Sequence, residues 1–150
     1  MGSVGGRAGT KALVRNGECG MRNELRDRTK SFALGTVRLV EDLPRGRASE
    51  VIGGRLLRSG TSVAANYRSA CRARSRREFI AKMGIVEEEA DESQFWLELI
   101  IEHGLLPAQR ASTLCDEAGQ LVAIAVTSIR TARGARGSIP HSAFRISQSP

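Results

Sequence analysis

One unbroken block constrains this chain more than any other feature: residues 55–101, RLLRSGTSVAANYRSACRARSRREFIAKMGIVEEEADESQFWLELII. Arginines among small residues fill its first half. Glutamates and aspartates among large apolar residues fill its second. The block reads as two long helices of opposite charge character, joined by a tight basic elbow. It specifies an architecture well and a chemistry poorly, because no catalytic constellation accompanies it.

Helical periodicity continues on both sides of the block. Asn23 is placed to cap a first helix, with Glu24 and Asp27 early, where carboxylates favour the positive helix end. Leu25, Phe32, Thr36, Val37, Leu39, Val40 and Leu43 recur at helical spacing up to an Asp42-Leu43-Pro44 stop. Gly46 and Ser49 open a second helix that runs to about Ala73, with Ile52, Leu56, Val63, Tyr67 and Ala70 in one arc and Ser59 and Asn66 at its border. Gly53, Gly54 and Gly60 make this helix thin. Each interior glycine costs about 1 kcal/mol relative to alanine, so three of them point to a closely packed neighbour.

Ser75 and Glu78 form a capping box that restarts the chain as helix three. Its main apolar stripe is Phe79, Met83, Val86, Ala90, Leu97 and Ile101; a second stripe, Ile85, Trp96 and Leu99, lies on a different face. Two apolar faces mean two partners, so the second contacts either another helix of the chain or another subunit. Asp91, Glu98 and Glu102 occupy a third face. Gly104 and Pro107 end the helix, and a fourth is expected from Ser112, with Asp116 and Glu117 early, Arg130 and Arg133 late, and Leu114, Leu121, Ile124, Ala125 and Ile129 as its stripe. Four helices of ~20–28 residues, each ~30–40 Å long, predict an all-α, up-down-up-down four-helix bundle. The domain expectation is a disordered N-terminal extension over 1–22, the bundle over 23–134 and a disordered C-terminal tail over 135–150. Met21 directly precedes the first capped helix, so residues 1–20 are expected to be dispensable and Met21 to be the working start.

Charge and cysteine usage narrow the setting. The formal charge is +7, but residues 1–22 hold four cations against Glu18 and residues 135–150 hold Arg136 and Arg145, so the tails carry most of the excess. Cys19, Cys71 and Cys115 are isolated and odd in number, which fits a reducing cytoplasm rather than a disulfide framework or a zinc site. The Leu121–Val126 run is too short to span a bilayer, and Gly6 stands where an N-myristoylation signal needs Ser or Thr. The expectation is a cytoplasmic protein with no membrane partner.

The stretch from Arg55 to Ile100, together with the Leu-Pro end of helix one and the SIRTAR of helix four, resembles the four-helix-bundle proteins known as the 23S rRNA intervening-sequence family. The resemblance covers roughly residues 24–134. It implies a small bundle that assembles as a homopentamer, without an established biochemical activity. A more distant similarity, to the accessory protein of diversity-generating retroelements, implies a basic pentamer in contact with nucleic acid. Ser69 departs from a common Glu and Glu87 from a common apolar residue, which weakens any carry-over of a polar site at the elbow.

An enzyme is not expected. Of the two histidines, His103 and His141, neither has a carboxylate three residues before it, as a helical di-iron site requires, and no nucleophile elbow or P-loop spacing is present. No catalytic residue, metal ligand or cofactor is assigned. The arginines carry more information. Arg58, Arg68 and Arg72 fall within ~80° on the helical wheel. Arg74, Arg76, Arg77 and Lys82 continue the charge through the elbow. These seven residues form a candidate RNA- or DNA-binding patch that neutralises phosphates. Only Asn66 and Tyr67 stand near enough to read bases, and both border the core arc, where a satisfied amide is expected of Asn66. The alternative is internal to an assembly: seven carboxylates between Glu87 and Glu102 face no Lys or Arg in their own segment, so basic and acidic faces would pair between subunits.

Overall fold

The computed structural model describes residues 8–134, with side chains from Arg22 onward. Four helices follow in chain order: α1 (Ala8–Glu41), α2 (Arg47–Cys71), α3 (Arg76–His103) and α4 (Ala108–Gly134), and no strand occurs among the described residues. Contacts between them run in opposite chain directions. Along α1 and α2, Leu43 approaches Gly53, Thr36 approaches Gly60, and the Arg22 carbonyl meets Tyr67. Along α1 and α4, Asp42 pairs with Arg110 and Arg28 with Glu117. Consecutive helices are thus antiparallel, as short loops require. The backbones of diagonal helices do not approach each other closely among the described residues, and α1 packs closely on α2 but sparsely on α4.

Two helix starts differ from expectation. Helix α1 begins at Ala8, so Asn23 lies inside it rather than capping it. No proline stands between Ala8 and Glu41, and glycine lowers helix stability without terminating the helix. Residue 23 is therefore not a boundary of secondary structure, while residues 1–7 and the expected tail 135–150 lie outside the described residues. Helix α4 begins at Ala108 rather than Ser112, because Pro107 starts the turn and its carbonyl accepts from Arg110 N at 2.9 Å. Asp116 and Glu117 consequently sit beyond the first turn, too far in for the macrodipole, and Glu117 serves Arg28 instead.

Helix α3 starts as expected. Ser75 Oγ accepts from Glu78 N at 3.0 Å, and Glu78 Oε2 accepts in return from Arg74 N at 2.8 Å, one residue before the usual recipient. Gly104 closes the helix in the left-handed conformation, φ 75°, where a side chain would be strained.

The core is aliphatic and follows a heptad-like seam. Met83, Val86, Ala90, Ser93, Leu97 and Ile100 are the buried positions of α3, alternating in steps of three and four. That 3.5-residue period brings Ile100, and not the expected Ile101, fully into the core; Ile101 packs at its edge. Leu56, Val63, Tyr67 and Ala70 are buried as the α2 arc predicts. The thinness of α2 also has its predicted consequence. A methyl group at Gly60 would lie 2.6 Å from Thr36 Oγ1 and 2.7 Å from its Cγ2, and one at Gly53 would lie 2.9 Å from Leu43 Cδ1. Gly54, by contrast, faces open space. On the other flank of α2, the fully buried Ser59 and Ser93 meet oxygen to oxygen at 2.8 Å, and each also reaches its own helix backbone. Small side chains therefore let α2 approach both neighbours.

Candidate nucleic-acid interface

The α2–α3 elbow, residues 72–75, projects from one end of the bundle. Arg68, Arg72, Arg74, Arg76 and Arg77 are all exposed there, and Lys82 is half-buried one turn further along α3. None of these six forms a side-chain ion pair within the described residues. The antiparallel packing adds cations that sequence proximity did not suggest. Gly119 packs against Gln94, so at 1.5 Å rise per residue Arg130 and Arg133 come level with roughly residues 80–83 of α3. Both are exposed. Arg22, also exposed, stands beside Tyr67, whose hydroxyl donates to the Arg22 carbonyl at 3.4 Å. Burial first, and then a hydrogen bond with Cys71, push the Tyr67 phenol above its ordinary pKa. The end of the bundle thus gathers cations from all four helices, with Glu24 and Glu78 as its nearby carboxylates.

Arg76 and Arg77 hold positions where their charge costs stability. They are the first two residues of α3, next to the positive pole of the helix, whereas Glu102 stands at its negative pole. Each such placement runs against the macrodipole by about 0.3–1 kcal/mol near the surface. Side chains arranged against local stability mark a selected purpose elsewhere. The helix end itself is already satisfied by Ser75 and Glu78, so the guanidinium groups are the free donors.

Arg58 has a different environment from the rest of the expected patch. Its guanidinium bridges Glu92 at 2.7 Å and Glu89 at 3.3 Å, some ten residues up α2 from Arg68. It is thus engaged by the acidic face of α3 within its own chain. The other Glu89 oxygen is buried with no hydrogen-bond partner in the protein, so Arg58 is the cation that compensates this carboxylate. The Trp96 indole N–H donates to Glu92 at 3.1 Å. That bond first, and then Arg58, hold the Glu92 carboxyl below its ordinary pKa, against the opposing effect of burial. A depressed carboxylate stabilises the fold above its unfolded pKa and loses that contribution as pH falls through the folded one. Trp96→Phe should therefore reduce the drop in urea midpoint between pH 7 and pH 3. An unchanged drop would show that the indole bond contributes nothing.

Ile85, Trp96 and Leu99, the expected second stripe, are all half-buried in the single chain, and Trp96 packs partly against the core. Phe95, missed in the sequence because carboxylates surround it, stands 49% exposed with its ring edge-to-face on Trp96 at 4.9 Å. Val51 is 57% exposed on α2. Asn66 donates to the Ser62 backbone and hydroxyl, both at 2.9 Å, as a satisfied amide. His103 is exposed at the α3 terminus. Among the described residues no group of three His, Cys, Asp or Glu converges for a metal, and no helix is long and apolar enough to cross a membrane.

Residues 22–126 match the family model of the 23S rRNA-intervening sequence protein. The chain belongs to that family. The elbow, the thin α2 and the acidic α3 all fall within the matched segment. A solved relative agrees: the crystal structure of a protein of unknown function from the S23 ribosomal protein family of Bacteroides thetaiotaomicron is 32% identical, superposes with a TM-score of 0.68, and is matched over 98% of its length by 73% of this chain. No curated protein matches this member of the intervening-sequence family.

Proposed function

We propose that this protein is a non-catalytic, cytoplasmic, self-associating scaffold that binds RNA or DNA without sequence preference and without a cofactor. The observation that carries the reading is the convergence of unpaired arginines from the elbow, α2 and α3, two of them placed against the α3 macrodipole. Phosphate oxygens satisfy such groups bidentately, and each neutralised phosphate releases counterions. Among the described residues near the elbow, Asn66 is satisfied by Ser62 and Tyr67 is buried, so neither is free to read bases.

The test is binding of a fluorescent RNA and a DNA oligonucleotide by the full chain between 50 and 200 mM salt. Affinity should fall steeply on logarithmic axes, and Arg72→Ala/Arg76→Ala/Arg77→Ala should reduce the slope by about three, one per lost phosphate contact. Absence of binding to either oligonucleotide at 50 mM salt removes the reading.

Self-association is the second part of the proposal. Phe95 is exposed against the half-buried Trp96, and with Ile85 and Leu99, half-buried on α3, it offers an apolar surface suited to a second copy of the chain, in a pentamer as the family resemblance implies. Glu88, Asp91, Glu98 and Glu102 flank it, which favours a basic counterpart on the neighbouring subunit and supports pairing of basic and acidic faces as the alternative role of the arginines. Phe95→Glu should lower the mass measured by light scattering while leaving the circular dichroism unchanged, since Phe95 lies outside the core. An unaltered mass would exclude this face from the interface.

A further inference from the structure

An exposed aromatic ring and a groove with room for one lie on different sides of the same bundle. We infer, resting on the self-association reading above, that Phe95 of one copy docks in the groove between α1 and α4 of the next, a head-to-tail contact in which each subunit is both knob and socket. Phe95 stands two residues from Ser93 and Leu97, both fully buried, so at ~100° per residue it projects directly away from the core side of α3. Its ring is 49% exposed and braced edge-to-face by Trp96 at 4.9 Å. Exposed carboxylates line the same edge of the helix, Asp91 and Glu98 within about one turn of the ring and Glu88 and Glu102 about a turn further. Pairing two copies of this face would oppose like charges, which disfavours a two-fold contact through α3. The counterpart has to be apolar at its centre and cationic at its edge.

The groove has both properties. It holds about 440 Å³ and is floored by Phe32, Gly35, Leu39 and Leu114; an apolar cavity of about 150 Å³ already takes benzene. Three arginines and two carboxylates line it. Arg28 is bound to Glu117 and Arg110 to Asp42, which leaves Arg38, exposed and without an ion pair among the described residues, as its uncompensated cation. One turn before Arg38, Leu34 is 46% exposed and adds apolar surface on the outer edge of α1, with Lys30 a turn before that. Val51 on α2 is exposed as well, but Arg58, two turns along the same face, is already engaged by Glu89 and Glu92.

Knob and socket also lie at similar heights. Gly119 packs against Gln94, which sets Phe95 level with about Ala118, and Leu114 on the groove floor is four residues from there, about 6 Å along the helix. Within one chain the ring cannot fill the groove, because it faces away from the core and α1 lies diagonally across the bundle from α3. A rotation about an axis along the bundle, with little translation, brings the ring of one copy to the groove of the next, and the same step repeats from copy to copy.

Two variants of the full chain test this: Phe95→Glu, which removes the knob, and Ser31→Glu/Arg38→Glu, which places acid at two groove positions. All three residues are exposed, so both variants should keep the circular dichroism of the intact protein. Each alone should have the mass of a single chain by light scattering. Mixed in equal amounts, they should form a species of twice that mass and no larger, because Phe95→Glu retains a groove and the other variant retains the ring. A mixture that stays monomeric, at a concentration where the intact protein is fully assembled, overturns the inference. So does a groove variant with the mass of the intact protein; the groove would then take another occupant, such as residues 135–150 of its own chain, while the Phe95 face stands as an interface. An unaltered mass in Phe95→Glu, or an intact protein that is itself monomeric, removes the self-association reading and this inference with it.

Discussion

Phe32→Ala is expected to destabilise the bundle by about 3–5 kcal/mol, a large part of the 5–15 kcal/mol typical of a domain. Phe32 is the buried aromatic of α1. Its loss should not be felt evenly. Helix α1 is held tightly by α2, but its seam with α4 is an open groove of about 440 Å³, floored by Phe32, Gly35, Leu39 and Leu114. Ion pairs bridge that seam toward its two ends: Arg28–Glu117 is half-buried and bidentate, whereas the exposed Arg110–Asp42 pair contributes little. In the variant, residues 22–41 should exchange amide hydrogen well before the centres of α3 and α4, around Ala90 and Ala118. Uniform loss of protection would show instead that α1 belongs to a single cooperative unit with the rest.

Gly60→Ala should cost about 1–3 kcal/mol by overpacking, whereas Gly54→Ala should stabilise by up to about 1 kcal/mol through helix propensity. The two glycines lie six residues apart on one helix and differ in what they face. A methyl at Gly60 meets three atoms of Thr36, the nearest at 2.6 Å. Thr36 has little freedom to yield, being β-branched and fixed by its hydroxyl bond to the Phe32 carbonyl at 3.0 Å. A methyl at Gly54 meets nothing. Adding Thr36→Ala to Gly60→Ala removes Oγ1 and Cγ2 and should recover part of the loss, a coupling that a double-mutant cycle in urea measures directly. Equal effects at the two glycines would mean that α1 and α2 are not in close approach.

The closeness of that approach was legible in the sequence; its partner was not. Three glycines in one helix announce a near neighbour, but which glycine touches and which is idle depends on the register between α1 and α2. The same limit applies to charge. Arg58 shares its wheel face with Arg68 and Arg72, yet the antiparallel fold sets it opposite Glu89 and Glu92. Arg130 and Arg133, read as favourable cations at a helix terminus, reach the elbow because α4 runs antiparallel to α3. Local chemistry fared better. The Ser75–Glu78 box and the Gly104 terminator were read directly, since both are fixed within one turn. Ile100 was displaced by Ile101 because a straight-helix wheel drifts against a 3.5-residue seam. Phe95 escaped notice because its carboxylate neighbours disguise an exposed ring.

The crowding of positive groups at the elbow, with carboxylates filling the distal two-thirds of α3, gives the described bundle a permanent electrical axis along its length. In the field of a polyanion such a molecule experiences a torque before it makes any contact. It turns while still a Debye length away, about 8–10 Å at physiological salt, so that the elbow arrives first and the acidic flank last. Orientation during approach is thereby settled by long-range forces, and the short-range contacts need only retain what has already been aligned.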